Sequence, residues 1–331
     1  MTPLERLQKY LTGTGAGSGI EPLTPDASTR EYFRIRWQGA PAIACVYSEP
    51  FISEEHSYLD VSNLFSSAGL PVARIYAEDG DSGIIIHEDF GDTILRDVLL
   101  RTDHATRERY LDECITLIAR IQAATEKAYE LNSIASRLSF DFEKLSWEID
   151  FFTEHYFQTL RKTPLQNSDA AELKRDLDQV CRELAGLARV LTHRDFHAAN
   201  LMLDQQGLLR IIDHQDARIG SVSYDLVSLL LDRVTDLPSP EWLAGKRRLL
   251  INERVRLGLG ALDEAEFTRE FRLQTIQRCL KAIGTFSYQS VNRGKTYFLP
   301  YIEPMFRIVL RAAENLDRFP SMQEIIRRQI S

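Results

Sequence analysis

Cysteine is scarce in this sequence. Cys45, Cys114, Cys181 and Cys279 stand far apart and no CxxC pair occurs. That spacing excludes a thiol–disulfide motif and a cysteine zinc site, and it suits four small apolar side chains in a reducing compartment. No run of eighteen apolar residues occurs, so no membrane-spanning helix is predicted. The opening MTPLERLQKYLTG carries charges throughout and lacks the apolar core of an export signal. These absences predict a cytoplasmic protein with no membrane partner. An excess of basic residues is missing too: the formal net charge is -8, whereas a nucleic-acid surface needs a basic face to displace counterions. Phosphate-loop motifs are also absent. In Gly13–Gly19, GTGAGSG, Ser18 breaks the dinucleotide fingerprint and no GK[ST] ending follows, so the segment reads as a flexible connection. Gly294-Lys295-Thr296 ends like a P-loop, but Gln289 occupies the required glycine position.

What is present is enough chain for two packed lobes, 331 residues with 44% apolar and 27% charged side chains. Leu4, Leu7 and Leu11 predict a short amphipathic helix. Residues 32–36 and 41–47 read as a hairpin turning at Gln38-Gly39. Ser53 is placed to cap a helix reaching Ser67, with Tyr58, Val61 and Phe65 on one face and Gly69 ending it. Two more strands are predicted over 73–77 and 83–87. After Gly91 the pattern turns helical: Asp103 caps a helix with Tyr110, Cys114, Leu117, Ile118 and Ile121 on one face. Helices follow over 141–161, 169–189 and most of 240–331, broken near Pro300 and Pro320. Strand character returns only at 189–192, 201–203 and 208–212. This order predicts an α+β fold. It has a small β-rich lobe over 1–90, expected to bind nucleotide, and a larger, mostly helical lobe over 91–331, expected to carry catalysis and acceptor binding.

The informative stretch is LTHRDFHAANLMLDQQGLLRIIDHQDA, residues 191–217. A short strand leads into a polar loop from His193 to Asn200. A hairpin turning at Asp204-Gln205-Gln206-Gly207 then pairs 201–203 with 208–212, which brings Asn200 toward Asp213. Phosphoryl transfer needs positioning and charge neutralisation more than covalent help. A carboxylate must accept the proton of the attacking hydroxyl, and Asp195 suits that role. Magnesium prefers hard oxygen ligands, which Asn200 and Asp213 supply. His193-Arg194-Asp195 followed by Asn200 matches the HRDxxxxN spacing of a kinase catalytic loop.

The same residues resemble the aminoglycoside phosphotransferase family, relatives of protein kinases, whose loop reads HxDxHxxN. Here it is His193, Asp195, His197 and Asn200, followed by Ile212-Asp213 and Ala217 in an I-D-x-x-x-A context. Within that family the chain is most similar to anomeric kinases of cell-wall recycling that act on N-acetylmuramate and N-acetylglucosamine. The phrases carrying this likeness are DASTREYFRI (26–35), HEDFGD (87–92), IDFFTEHYF (149–157), IDHQDARIGSVSYDLVSLL (212–230) and LKAIGTFSYQSVNRGKTYFLPYI (280–302). The resemblance implies a protein-kinase-like bilobal fold and transfer of the γ-phosphoryl group of ATP, with Mg2+, to a small-molecule sugar hydroxyl. It implies Asp195 as base and Asn200 and Asp213 as metal ligands. Ser28, Thr29 and Arg30 would lie over the triphosphate, and Glu88, Asp89 and Phe90 would meet the base. Asp225 would brace the catalytic loop. Arg194, His197 and Asp216 are candidate substrate contacts, with His197 also fitting a loop-orienting role and Asp216 a solvated carboxylate.

One departure stands out. Kinases place a lysine on the third strand to hold the α- and β-phosphates, yet no lysine occurs between Lys9 and Lys127. Arg30, Arg34 and Arg36 are the nearest cations. Arg30 is the best placed, and arginine can grip phosphate bidentately. Arg36, and by the same alternative Arg34, fits a strand-surface charge. For the acceptor, Phe151, Phe152, Tyr156, Phe286 and Tyr288 could wall a sugar ring. Glu148, Asp150 and Glu154 could instead attract a cationic aminoglycoside or amino alcohol. A nucleotide-binding pseudokinase is a further reading that the missing lysine invites.

Overall fold

A computed structural model describes residues 1–23 and 30–330. Helix α1 (Pro3–Thr14) opens with a capping box: the Thr2 hydroxyl accepts from Glu5 N–H, and the Glu5 carboxylate accepts from Thr2 N–H. Leu7 and Leu11 are buried, while Leu4 stays exposed. The expected flexible connection, Gly13–Gly19, is instead divided between the end of α1, its Gly15 cap and the start of strand β1 (Gly17–Leu23). A bulge between Ser18 and Ile20 lets the glycine-rich segment pair with its neighbour. Strands β2 (Glu31–Trp37) and β3 (Ala40–Val46) form the predicted hairpin. Gln38 (φ 50°) and Gly39 (φ 85°) both take the positive φ that a two-residue I′ turn requires.

Ser53 heads a short 3-10 turn rather than capping a helix, and α2 (Ser57–Ser67) follows it. Strands β4 (Ile75–Asp79) and β5 (Ile84–Glu88) complete an antiparallel sheet in the order β1-β2-β3-β5-β4. Its pleat sorts the side chains. Phe33, Ile35, Trp37, Ala42, Ala44, Val46, Ile84 and Ile86 pack with Leu7 and Leu11 of α1 on one face. Cross-strand register puts Tyr32, Cys45 and Ile85 on the other.

Helix α3 (Leu95–Leu99) ends this run. The remaining helices are α4 (His104–Ala123), α5 (Thr125–Glu130), α6 (Ile134–Arg137), α7 (Phe142–Phe152), α8 (Asn167–Ala185), α9 (Tyr224–Leu231), α10 (Pro240–Arg256), α11 (Glu264–Asn292), α12 (Ile302–Glu314) and α13 (Pro320–Arg327). Asp103 caps α4 by accepting from Thr106 N–H, as expected. A wider π-type winding, Thr153–Leu160, continues α7. Pro300 lies in a 3-10 segment and Pro320 opens α13. Four short strands lie between α8 and α9: β6 (Val190–Thr192), β7 (Leu201–Leu203), β8 (Leu209–Ile211) and β9 (Arg218–Gly220). The last was not expected from sequence, because three residues are too few to show a period; it pairs with β6.

The chain forms two compact units, residues 1–102 with 198–216, and residues 103–197 with 217–331. This grouping differs from a division after residue 90. The β7–β8 hairpin is tied to the first unit by Leu203 N–H to Thr93 C=O and Ile211 N–H to Pro71 C=O, both 2.9 Å. In the second unit α7 and α11 approach closely at Gly284, where an added Cβ would lie 2.6 Å from the Phe152 Cα. Among the described residues no helix is long and apolar enough to cross a membrane.

Candidate active site

In the second unit, β6 delivers the chain into His193–His197. Asp225, in the first turn of α9 and fully buried, accepts His193 N–H at 2.7 Å and Arg194 N–H at 3.0 Å through its two oxygens. Burial pushes the Asp225 carboxyl up to about 6, against the two backbone donors that favour its charge. This clamp fixes Arg194 at φ 85°, a strained conformation for a side chain with a Cβ. Asp225 therefore braces the loop by direct hydrogen bonding.

The Asp195 carboxylate meets cations from α11. Its Oδ1 accepts from Arg278 Nη2 at 3.1 Å and Lys281 Nζ at 3.2 Å, and its Oδ2 lies 3.8 Å from Arg194 Nε. Burial raises its pKa, but Lys281, Arg278 and Arg194 outweigh that and hold it well below the usual carboxylate value. Asp195 is thus ionised, the state a proton acceptor needs. Arg278 also donates to Ser228 Oγ at 3.0 Å, which fixes its guanidinium. His197 donates its backbone N–H to Asp195 C=O at 3.0 Å. Its ring lies 3.9 Å from Asp232, and burial lowers its pKa, so it is neutral near pH 7.

Sequence reasoning missed Arg278 and Lys281. The signal was there. Glu270, Gln274, Gln277, Arg278 and Lys281 recur at helical spacing along one face of α11, and each of the first four is buried. Buried polar side chains need partners. Glu270 receives Ser223 N–H, Gln274 receives Ser221 Oγ–H, and Gln277 donates to Glu148.

In the first unit the hairpin brings Asn200 and Asp213 together as its pairing implies. Asn200 Nδ2 donates to Asp213 Oδ2 at 3.2 Å, and Ile212 N–H donates to Asn200 C=O at 3.1 Å. Gln215 Nε2 donates to Asp213 Oδ1 at 2.7 Å. Asp213 is held at φ 60°, backbone strain of about 1–3 kcal/mol that marks functional positions. A carboxylate beside an amide offers two hard oxygens, and an amide can present either end. That set fits magnesium, which keeps waters and phosphate oxygens as its other ligands. Among the described residues no group of three or more His, Cys, Asp or Glu is arranged to hold a metal. The next residue, His214, is 1% exposed, stacked on Phe65 and tilted against Tyr58 of α2.

The candidate nucleotide residues fare differently. Ser28 and Thr29 lie outside the described residues. Arg30 sits over the rings of Tyr47 (5.5 Å) and Tyr32 (6.0 Å) and donates to Tyr47 Oη at 3.4 Å. Arg34 is no bare surface charge, since it pairs with both Asp89 and Asp92. Arg36 donates to Gly39 C=O and is exposed, which fits the strand-surface reading. The Asp89 side chain is thereby committed to Arg34 and to Gly91 N–H. Glu88 N–H is used by Arg74 C=O, its carboxylate accepts from Arg74 N–H, and Phe90 is buried beneath Arg210. Glu54 and Glu55 are exposed, as ordinary surface acids are.

Of the predicted aromatic wall, Phe152, Tyr156 and Phe286 are core side chains. Phe151 and Tyr288 remain half-buried, with ring centroids 5.7 Å apart, and exposed Trp147 adjoins Phe151 at 5.9 Å. The acidic trio does not converge. Glu148 is buried against Gln277, Asp150 pairs with Lys174, and Glu154 is exposed. Asp216 is half-buried at the end of the hairpin segment.

Comparison with known proteins accords with this geometry. The sequence model of the phosphotransferase enzyme family matches residues 19–261. The chain belongs to that family and is a small-molecule kinase of protein-kinase-like fold. Similar curated proteins bear the name N-acetylmuramate/N-acetylglucosamine kinase. That of Pseudomonas aeruginosa is 29% identical over 310 residues, covering 92% of this chain and 87% of its own. That of Neisseria meningitidis serogroup B is 29% identical over 317 residues, covering 91% and 89%. Among solved structures, a choline kinase from Streptococcus pneumoniae superposes with a TM-score of 0.59 at 13% identity, covering 93% of this chain and 99% of its own. An ADP-bound aminoglycoside phosphotransferase superposes at 0.56 and 12%, covering 97% and 98%. Those two likenesses concern the fold.

Proposed function

We propose that this chain transfers the γ-phosphoryl group of ATP to the anomeric C1 hydroxyl of an amino sugar, N-acetylglucosamine or N-acetylmuramate. The observation that carries this reading is the likeness to kinases named for those two sugars, sustained over about nine-tenths of the chain. Asp195 takes the proton of the acceptor hydroxyl. The acceptor oxygen bonds to the γ-phosphorus, the bond from that phosphorus to the β–γ bridging oxygen breaks, and ADP leaves with the electron pair. Asn200 and Asp213 would hold magnesium, which when bound neutralises phosphate charge. Arg30 takes the place of the missing strand lysine, and residues 1–90 serve the nucleotide.

Charge argues against the aminoglycoside alternative. Arg194, Arg278 and Lys281 surround Asp195, and a cationic acceptor would be repelled there. The intact Asp195, Asn200 and Asp213 argue against a pseudokinase. The test is incubation with ATP, magnesium and a panel of hexoses and N-acetylhexosamines, read by phosphorus NMR. A C1 phosphate on either sugar is expected. Its absence from the whole panel, or phosphate on another oxygen, rejects the reading.

A further inference from the structure

We infer that Lys281 is the binding point for a carboxylate on the acceptor sugar, so that the site distinguishes an acidic amino sugar from its neutral counterpart. This rests on the acceptor reading above and adds a residue and a charge to it.

The argument begins with unequal exposure. Arg278 keeps 6% of its side chain exposed and spends its Nη2 on Asp195 and Ser228. Lys281, one turn further along α11, keeps 16%. An ammonium has three donors, and Asp195 is the ion-pair partner of Lys281 among the described residues. Lys281 can therefore hold Asp195 and a second anion together.

Three cations also converge on one carboxylate. Arg194, Arg278 and Lys281 lie 3.8, 3.1 and 3.2 Å from Asp195, and Asp225, Asp232 and the buried Glu148 are the further acids of this neighbourhood. Lys144 on α7 lies close enough to feel Arg194, Arg218 and Lys281. Burial first, then these like charges, lower its pKa. Three cations around one carboxylate favour an anionic group over a cationic one at its open side.

The position suits the acceptor. Lys144, Trp147 and Phe151 recur at i, i+3 and i+7 on α7. Lys281 and Tyr288 recur at i and i+7 on α11. The Lys144 ammonium sits 4.0 Å from the Trp147 ring centroid, and Phe151 meets Tyr288. Cations and half-exposed aromatics thus share the same faces of two helices in contact. Such a surface offers an apolar plane for a sugar ring and an ammonium for its carboxylate. A γ-phosphoryl group is the other anion Lys281 could meet, and the experiment separates the two.

The experiment is steady-state kinetics of Lys281→Met and Lys281→Arg with N-acetylmuramate, which is acidic, and N-acetylglucosamine, which is neutral. Both acceptors lose rate in Lys281→Met through the disturbed Asp195. The inference expects kcat/KM for N-acetylmuramate to fall at least about tenfold further, with KM for ATP little changed and the preference restored in Lys281→Arg. Calorimetric binding of N-acetylmuramate to Lys281→Met, weaker than to wild type, supports it without turnover. Equal losses on both sugars would show a positioning role through Asp195 only and overturn the inference. A selective rise in KM for ATP would overturn it by assigning the lysine to phosphate. A wild-type enzyme inactive on both sugars removes the acceptor reading itself, and the inference with it.

Discussion

Ser62 Oγ lies 2.8 Å from Nε2 of His214, the residue immediately after Asp213. A helix that follows the third strand is thereby bonded to the segment carrying the candidate metal ligand. His214→Ala removes that bond and two ring contacts from a buried position. It is expected to cost about 2–4 kcal/mol of stability and to raise the magnesium concentration needed for half-maximal rate. Ser62→Ala should cost about 1 kcal/mol. Denaturant melts and magnesium titrations of the rate measure both. An unchanged magnesium requirement in His214→Ala would separate this packing from the metal site.

Asp195→Asn should reduce turnover by about a thousandfold or more while nucleotide affinity stays within a few-fold. Paired single-turnover and nucleotide-binding measurements check this. Turnover near wild type in the variant would remove Asp195 from the base role.

The pH profile follows from the Asp195 pairing. Its folded pKa is depressed, so its stabilising ion pairs are present above the unfolded value of 3.8 and are lost as pH falls through the lower folded value. The acid limb of kcat/KM should therefore carry no Asp195 ionisation between about pH 5 and pH 9. Arg278→Met removes one of the two cations on Oδ1, and the Asp195 pKa should rise. Carboxyl NMR titration of Asp195 in wild type and variant reads that shift, and an Asp195 titration that does not move upward contradicts the pairing.

Arg30→Ala should raise KM for ATP about tenfold, roughly 1.4 kcal/mol, with a smaller effect on KM for the sugar. Arg34→Ala should act through stability instead, because Arg34 is already spent on Asp89 and Asp92. Nucleotide titrations beside thermal melts distinguish the two arginines.

Gly284→Ala tests the helix contact in the second unit. Its new methyl group would meet the Phe152 Cα at 2.6 Å and its nitrogen at 2.9 Å. Backbone cannot swing aside as a side-chain tip can, so a loss of about 1–3 kcal/mol is expected in a denaturant melt.

The parts legible in sequence were local. The Gln38-Gly39 turn, the Asp103 cap and the hairpin joining Asn200 to Asp213 each depend on residues a few positions apart. The illegible parts depend on distant partners. Asp195 meets Lys281, Glu148 meets Gln277, and Arg34 meets Asp89, and no local pattern encodes such pairs. The aromatic wall was misread for a different reason. Phe151 and Phe152 are neighbours on α7 and so point to different faces. Phe151 stays half-exposed, while Phe152 and, one turn on, Tyr156 turn inward, and a list of aromatics does not say which face the core takes.

The hairpin at 198–216 also has a consequence for how the protein is made. Its strands bond back to Pro71 and Thr93, yet residues 103–197 must be synthesised in between. On the ribosome, the first unit emerges with those carbonyls unanswered and waits for the hairpin to leave the exit tunnel. Domains usually fold in order of emergence. Here the first unit stays incomplete until residue 216 has emerged, and a nascent chain stalled before residue 198 would offer chaperones an incomplete unit rather than a folded one.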